Sequence, residues 1–248
     1  MQSITAIILA AGKGTRFKSD LPKVLHPIQH KPMIHHVIES VQTCNITDIC
    51  LVVGYKREEV LSACKSFNAT HAIQEEQLGT GHAVVCALEN ITSSAAQHCL
   101  ILAGDCPLIQ PSTLEELINI HQNTNAAATL LTATLPNAGN YGRIIRDKNN
   151  QIIAIREAKD CNTEELKISE FNSGIYCFNT EELINSIKKL STNNAQNEYY
   201  LTDVIAMLHK GNKTLSGHCI STEYEVLGAN TQDELAALNE KAYQLASQ

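Results

Sequence analysis

Short apolar runs alternate with amphipathic segments along the chain, and this alternation restricts the fold more than any other feature of the sequence. The runs Ile4–Ala10, Asp48–Gly54 and His98–Asp105 are rich in aliphatic and β-branched residues, which is typical of buried strands. Between them, apolar residues recur at helical spacing, as in the segment that follows Pro32. The sequence therefore predicts an α/β fold with a Rossmann-like, doubly wound and mostly parallel sheet.

The second half of the chain has a different pattern, with two short strand-like runs around the turn Lys148–Asn150 and a longer run at Glu170–Asn179. This pattern predicts a smaller mixed α+β C-terminal lobe that packs on the same sheet. We therefore expect a single domain over residues 1–248, with a first half of about 1–135, a lobe of about 136–230 and a terminal helix of about 231–248. Ser112 and Glu115 have the spacing of a capping box, which predicts that a helix starts there.

Charge and cysteine usage exclude several classes of protein. The chain carries 19 Lys and Arg against 26 Asp and Glu, a net charge of −7, which argues against nucleic acid as a partner. Its nine cysteines form no C-x-x-C pair, and several lie in apolar runs, which favours a reducing, cytoplasmic location. No signal peptide is visible, and no run approaches the roughly 18 apolar residues of a membrane span, so we expect no membrane partner.

The stretch that follows the first apolar run combines glycines with an unusual concentration of positive charge. It contains Gly12 and Gly14, and the cations Lys13, Arg16, Lys18 and Lys23. Glycines after a buried strand allow the backbone to approach phosphate oxygens closely, and nearby cations add charge. The stretch therefore predicts a site for a small anionic ligand, although the glycines could simply turn the chain and the cations could be solvated.

Two common phosphate-binding motifs do not fit this stretch. A Walker A loop would need Ser or Thr after its lysine, with a further glycine five positions before the Gly-Lys pair, and the sequence has neither. Phe17 stands where the third glycine of G-x-G-x-x-G would be, which weakens the interpretation as a dinucleotide-dependent dehydrogenase.

Seven segments together resemble the sugar-1-phosphate nucleotidylyltransferases, in that family's order and spacing. They read LAAGKGTRFKSDLPK, QEEQLGTGHA, LAGDCPLI, YGRI, NSGIY, NEYYLTD and GAN. As a set they are similar to the uridylyltransferase domain of bacterial N-acetylglucosamine-1-phosphate uridylyltransferases, and the likeness extends over essentially the whole chain. The resemblance implies a sheet of the nucleotide-diphospho-sugar transferase type, with a nucleotide-binding first half and a sugar-binding second half.

The implied reaction is transfer of a uridylyl group from UTP to N-acetyl-α-D-glucosamine 1-phosphate, which yields UDP-N-acetylglucosamine and pyrophosphate with Mg²⁺ as cofactor. The nucleophile is already an anionic phosphate, so no general base is needed, and the enzyme must instead hold two polyanions together. Two alternatives stay open: transfer to a different sugar 1-phosphate or from a different base, and a non-catalytic protein that binds sugar nucleotides.

The resemblance also implies roles for individual residues. Arg16, Lys23 and Asp105 are expected to be catalytic, and Mg²⁺ to be held by Asp105 and Asn230, both of which offer the oxygen ligands that this ion prefers. The expected nucleotide-binding residues are Leu9, Ala10, Ala11, Gly12, Gly14, Thr15, Gln74, Gln77, Gly79, Thr80, Ala103 and Gly104. The expected sugar-binding residues are Gly142, Glu157, Asn172, Thr202 and Asn230.

Each of these residues also has a purely structural interpretation. Asp105, Asn230 and Gly79 could be turn residues, Glu157 and Asn172 could be exposed strand polars, and Thr202 could cap a helix. Lys13 and Lys18 are the cations that solvation explains most simply.

Three features depart from the family pattern. Ala103 stands where the similar enzymes commonly have a tyrosine, and this change could reshape the nucleotide pocket. Ser173 replaces the more usual threonine of N-T-G. The chain ends at Gln248, before any hexapeptide repeats of the acetyltransferase part, so we expect no acetyl transfer here and infer no oligomeric state by analogy.

Overall fold

A computed structural model describes residues 3–91 and 96–247 of the chain. Its strands are β1 (Ile4–Ala10), β2 (Pro27–Ile28), β3 (Lys31–Pro32), β4 (Ile49–Val53), β5 (Thr70–Ile73), β6 (His98–Ala103), β7 (Ala128–Thr134), β8 (Arg143–Arg146), β9 (Ile152–Arg156), β10 (Glu170–Asn179) and β11 (Leu215–Ile220). Its α-helices are α1 (Met33–Thr43), α2 (Arg57–Cys64), α3 (Thr80–Ile91), α4 (Pro111–Thr124), α5 (Thr180–Ile187), α6 (Asp203–Lys210) and α7 (Gln232–Ala246).

Nine of these strands form one sheet, whose main path runs β11-β7-β10-β6-β1-β4-β5, with the β8–β9 hairpin attached to β10. The pairs β6–β1, β1–β4, β4–β5 and β7–β11 are parallel, whereas β10 is antiparallel to both of its neighbours in the path. Six strands of the path therefore point the same way and end at one edge of the sheet, where β10 begins. This confirms the predicted α/β class with a mostly parallel sheet.

Both faces of the sheet are buried, because helices cover each of them. Alternate residues of β1 enter different cores: Ile8 packs on the side of α1, α2 and α4, and Ile7 on the side of α3, α5 and α6. The central strand β4 is buried at every position, as expected of a strand between two helical layers. A third, smaller apolar cluster lies under α7 and includes Phe17, Met33 and Leu238.

Several boundaries differ from the predictions. The capping box at Ser112 is wrong: α4 begins one residue earlier, at Pro111 in the first helical turn, and Gln110 precedes it without a side-chain cap. Proline suits this position because its missing N–H would be unsatisfied there in any case. The helix α5 and the edge strand β11 were not predicted. The ends of the predicted domain, residues 1 and 248, lie outside the described residues.

The predicted C-terminal lobe is continuous with the first half, because β7, β10 and β11 extend the same sheet. Within the described residues, no helix is both long enough and apolar enough to cross a membrane.

Candidate active site

The predicted site residues meet at the edge where the parallel strands end. Leu9 pairs with Ala103 across β1 and β6, and the Gly104 N–H donates to the Leu9 carbonyl oxygen at 2.9 Å. The Gln74 N–H donates to the Val53 carbonyl oxygen at 2.8 Å, which places Gln74 at the same edge. Ligands of open α/β sheets bind beyond the carboxyl ends of the strands, so the topology alone brings these segments to one place.

The glycine loop that follows β1 leaves backbone donors without a protein partner. Within the described part of the chain, the N–H groups of Gly12, Lys13 and Gly14 donate to no protein acceptor. A Cβ at Gly12 would meet no atom within 4 Å, so nothing inside the protein fills the space beside it. Consecutive N–H groups without a protein partner are available to bind an anionic ligand.

The loop packs against two of its neighbours in the fold, His26 and Lys23. Phe17 is buried and stacks on the ring of His26, with 4.4 Å between the ring centroids. Gly14 has a φ of +63°, and a Cβ on it would lie 2.8 Å from the Cβ of Lys23. Phe17, which ruled out the dinucleotide motif, therefore has a packing role, and Gly14 allows the loop to lie directly on Lys23.

Two cations of this region converge on one oxygen atom. Arg16 Nη2 donates to Asn230 Oδ1 at 2.9 Å, and Lys23 Nζ donates to the same oxygen at 2.7 Å. Lys23 also forms an ion pair with Asp105, in a setting where both side chains are mostly shielded from solvent. Four predicted residues, from three separate segments of the sequence, are thus joined in one chain of contacts.

Most of the positive charge in the loop is not neutralised by the protein. Among the described residues, Lys13, Arg16 and Lys18 form no ion pair with a carboxylate. Lys13 lies over the ring of Tyr55 instead, 5.5 Å from its centroid. A local surplus of cations in an acidic protein is typical of a site for an anionic ligand.

The oxygen atoms of Asp105 and Asn230 fit a hard cation. Both contact the Lys23 ammonium group, so a positive charge already lies between them. A carboxylate and an amide oxygen are the donor types that Mg²⁺ takes from proteins, while it keeps other positions for water or phosphate. No cluster of three or more His, Cys, Asp or Glu suited to a metal occurs in the described residues. A metal at Asp105 and Asn230 would therefore take its other ligands from water or phosphate.

The turn predicted to contact the base lies between β5 and α3. Gln74 is buried, and its Nε2 donates to the Gly79 carbonyl oxygen at 3.0 Å, while Gln77 Nε2 donates to the Gln74 carbonyl oxygen at 3.1 Å. Gly79 has a φ of +108°, and a Cβ on it would lie 2.6 Å from the Tyr199 carbonyl oxygen. Glycine at position 79 is therefore required by the packing of Tyr199, whatever its contact with a ligand.

Four of the five predicted sugar-binding residues form a second group, whereas the fifth, Asn230, lies in the first group with Arg16 and Lys23. Thr202 Oγ1 donates to Glu157 Oε1 at 3.0 Å, and the Asn172 N–H donates to the Gly142 carbonyl oxygen at 2.8 Å. A Cβ on Gly142 would lie 3.5 Å from Glu157 Oε2. Burial raises the pKa of Glu157, and the Thr202 hydroxyl opposes that shift. Thr202 precedes α6, but its hydroxyl bonds Glu157 and does not cap the helix.

A cavity of about 440 Å³ connects the two groups, because it is lined by residues of both. Its walls are Arg16, Asn140, Glu157, Ala158, Lys159 and Gln196. Another cavity, of about 390 Å³, is lined by Lys13, Thr15 and Tyr55 among others. The remaining predicted positions, Leu9, Ala10, Ala11, Ala103 and Gly104, lie at or just after the ends of β1 and β6, at the same sheet edge.

Comparison with known proteins decides the family. The model of the MobA-like NTP transferase domain matches residues 6–158, which is more than half of the chain and includes the glycine loop, Asp105 and Glu157. The chain belongs to this NTP transferase family. Within the family, it is 46% identical over 231 residues to the bifunctional protein GlmU of Clostridium botulinum and 48% identical over 234 residues to that of Clostridium perfringens.

Each of these alignments covers 93% of this NTP transferase chain and 50% of the relative. The chain thus spans about half the length of the curated relatives it matches.

Solved structures agree with the fold. A putative glucose-1-phosphate thymidylyltransferase from Bacillus anthracis, solved with a sucrose, has a TM-score of 0.76 and 23% identity, with 97% of this chain and 95% of that chain covered. A UDP-glucose pyrophosphorylase complexed with UDP-glucose has a TM-score of 0.75 and 18% identity, with 98% and 99% covered. At such identities the likeness establishes the fold of this NTP transferase, and not its substrate.

Sequence reasoning missed several residues of the site. The Tyr176 side chain is buried, and its hydroxyl accepts a hydrogen bond from Asn172 Nδ2 at 2.7 Å. Arg143 is buried and donates to the carbonyl oxygens of Tyr141 and Gly139, so it shapes the turn before β8. Both residues stand in segments that carry the family resemblance, but only the fold shows that their side chains point inward.

Proposed function

We propose that this chain transfers a uridylyl group from UTP to N-acetyl-α-D-glucosamine 1-phosphate and releases pyrophosphate. One observation carries the proposal: three consecutive N–H groups without a protein partner precede Arg16 in the same loop. Arg16 has no carboxylate partner among the described residues, and it lines the same cavity as Glu157. Such a site suits a polyphosphate on one side and a hydroxylated ligand on the other.

In this proposal the triphosphate of UTP lies along the glycine loop. The N–H groups of Gly12, Lys13 and Gly14 donate to phosphate oxygens, and the Arg16 guanidinium adds paired hydrogen bonds. Uracil lies at the turn formed by Gln74, Gln77, Gly79 and Thr80, where backbone groups and a carboxamide can match its edge. The backbone of Leu9–Ala11 and of Ala103–Gly104 forms the floor of the nucleotide site.

The sugar 1-phosphate occupies the cavity between Arg16 and Glu157. Glu157 accepts hydrogen bonds from hydroxyl groups of the sugar, and Asn172 can both accept from and donate to them. Thr202 orients Glu157, and the Gly142 backbone contacts the acetamido group. A phosphate oxygen of the sugar 1-phosphate attacks the α-phosphorus of UTP, a new P–O bond forms, and the bond to the leaving pyrophosphate breaks. Arg16 and Lys23 stabilise the negative charge that builds up on both phosphates.

The metal in this proposal is Mg²⁺, held by Asp105 and Asn230. When bound, it neutralises negative charge on phosphate oxygens and orients them. The support for it is the donor set: two oxygen atoms that already face one positive charge, that of Lys23. The NTP transferase family and the fit of these ligands favour a divalent cation.

The choice of UTP and of N-acetylglucosamine 1-phosphate is supported by the motif resemblance and by the identity to the GlmU proteins over nearly the whole chain. Ala103, in place of the usual tyrosine at the sheet edge, favours one alternative, a different base or sugar. We therefore propose a panel assay of pyrophosphate release, with UTP, CTP, GTP or dTTP against several sugar 1-phosphates, each with and without Mg²⁺.

Turnover that requires UTP, N-acetylglucosamine 1-phosphate and Mg²⁺ is the expected result. Turnover with another pair replaces the assigned substrates, and tight UTP binding without any pyrophosphate refutes an enzyme. Arg16→Ala should lower kcat about 10²–10³-fold, as loss of one charge-stabilising donor does elsewhere. Lys148→Ala, an exposed cation in the β8–β9 turn, is the control and should retain wild-type turnover.

A further inference from the structure

One irregular segment, residues 194–202, contacts two parts of the candidate site. These are the turn at residues 74–81, called here the base-binding turn, and the turn that carries Glu157. We propose that Thr80 is a positioning residue for the sugar carboxylate: through the 194–202 segment, its hydroxyl helps to hold Glu157 in place. The effect expected on KM for the sugar 1-phosphate rests on the proposed function, whereas the effect expected on the position of Glu157 does not.

At its C-terminal part, the 194–202 segment is bonded to the base-binding turn by three backbone N–H groups. The Tyr199 N–H donates to the Leu78 carbonyl oxygen at 2.8 Å, and the Gly81 N–H donates to the Tyr199 carbonyl oxygen at 2.8 Å. The Leu201 N–H donates to Thr80 Oγ1 at 3.1 Å. Leu201 is buried, so its N–H would lose its partner if the Thr80 hydroxyl were removed.

The same segment is bonded to the turn that carries Glu157. The Thr202 hydroxyl donates to Glu157 Oε1 at 3.0 Å, and the Ala195 N–H donates to Asp160 Oδ1 at 2.9 Å. Lys159 Nζ donates to Gln196 Oε1 at 2.7 Å. The segment therefore touches the Glu157–Asp160 turn at three points.

The 194–202 segment is also stiffened by its own hydrogen bonds. Asn194 Nδ2 donates to the Glu198 carbonyl oxygen at 2.6 Å, while Asn194 Oδ1 accepts from the N–H groups of Gln196 and Glu198, each at 3.2 Å. Gln196 Nε2 donates to the Tyr200 hydroxyl at 2.8 Å. We therefore expect the segment to shift as a unit, so that a displacement at Leu201 also moves Thr202, the next residue, and with it Glu157.

Thr80 is proposed to contact the nucleotide, so a direct role alone would change the binding of UTP. An effect of its hydroxyl on KM for the sugar 1-phosphate is what the present proposal adds. Thr80→Val keeps the shape of the side chain and removes the acceptor of the Leu201 N–H. It should raise KM for the sugar 1-phosphate about tenfold, the size expected for one buried hydrogen bond. Thr80→Ser restores the hydroxyl and should return this KM close to the wild-type value.

A double-mutant cycle separates transmission from two independent effects. Thr202→Val removes the hydrogen bond to Glu157 and should raise the same KM by a similar factor. If the effect of Thr80 passes through Thr202, the double variant should show about the tenfold effect of one substitution, whereas a hundredfold effect, the product of both, would overturn the proposal. Thr70→Val, which removes a hydroxyl that bonds Ile49 at the opposite edge of the sheet, is the control.

Hydrogen exchange on the unliganded protein tests the connection without any turnover. Thr80→Val should speed amide exchange in peptides covering 199–201 and also in those covering 157–161 and residue 195. Faster exchange confined to 199–201 refutes the connection. If the wild type releases no pyrophosphate, the proposed function fails, and the exchange result still decides whether Thr80 holds the Glu157 turn. Urea unfolding of each variant shows whether it is folded.

Discussion

The two glycines of the loop after β1 should respond in opposite ways to alanine. At Gly14, φ is +63°, and an L-residue in this left-handed region costs roughly 1–2 kcal/mol. The new methyl group would also lie 2.8 Å from the Cβ of Lys23, and overpacking of this kind costs about 1–3 kcal/mol. Gly14→Ala should therefore lower the free energy of unfolding by about 2–5 kcal/mol.

Gly12 has neither constraint, because its φ is not in the left-handed region and a Cβ would meet no atom within 4 Å. Gly12→Ala should change the free energy of unfolding little, or raise it by up to about 1 kcal/mol through the unfolded chain. The methyl group would, however, occupy the space beside the three unpaired N–H groups, where the triphosphate is proposed to lie. We expect the Kd for UTP to rise at least about tenfold, which is about 1.4 kcal/mol.

Urea unfolding and UTP titration of the two variants measure both quantities. The expected pattern is a destabilised Gly14→Ala and a stable Gly12→Ala with weak UTP binding. Equal losses of stability would refute the account of the loop backbone. Wild-type UTP affinity in Gly12→Ala would refute the placement of the triphosphate.

Two further predictions concern pH. Burial raises the pKa of Glu157, so it should take up a proton at a higher pH than an ordinary glutamate and lose part of its ability to accept from sugar hydroxyls; KM for the sugar 1-phosphate should rise with falling pH more steeply in the wild type than in Glu157→Gln, because the protonated carboxyl keeps only part of its acceptor capacity, and identical profiles would contradict this. Burial lowers the pKa of His121 to about 4, so between pH 6.5 and 4 the unfolded chain binds a proton that the folded protein does not. The free energy of unfolding should therefore fall by about 2 kcal/mol from pH 7 to pH 5 on account of this group. Urea unfolding of His121→Gln should show a smaller fall, and an equal fall in both proteins would refute the role given to His121.

The parts of the fold that follow from local pattern could be predicted from the sequence. The run Ile4–Ala10 is a strand to the residue, and the turn Lys148–Asn150 does join two short antiparallel strands, β8 and β9. The edge strand β11 was missed, because its residues are partly exposed and include Gly217 and His218, so it lacks the apolar run that identifies a central strand. The start of α4 was misplaced because proline and the capping-box pattern compete for the same turn.

The candidate site likewise contains residues that could be predicted from the sequence and residues that could not. Residues that follow a strand, such as Asp105 and Gln74, could be placed at one sheet edge by topology alone. The contact of Asn230 with Lys23 joins positions 207 residues apart and depends on how the chain returns before α7, which no local pattern encodes. Tyr176 and Arg143 were missed because an aromatic residue or an arginine inside a strand pattern has no distinguishing signal until its side-chain direction is known.

The four polar groups that meet near the glycine loop are each held by a buried neighbour in sequence. These pairs are Arg16 with Phe17, Lys23 with Val24, Asp105 with Cys106, and Asn230 with Ala229. Each buried side chain fixes the backbone from which the polar one extends, so charged groups that repel one another or lose solvent are kept together by apolar packing on the other side of the chain. The apolar residues beside the charges therefore contribute to the arrangement, as Phe17 does by packing on His26 next to Arg16.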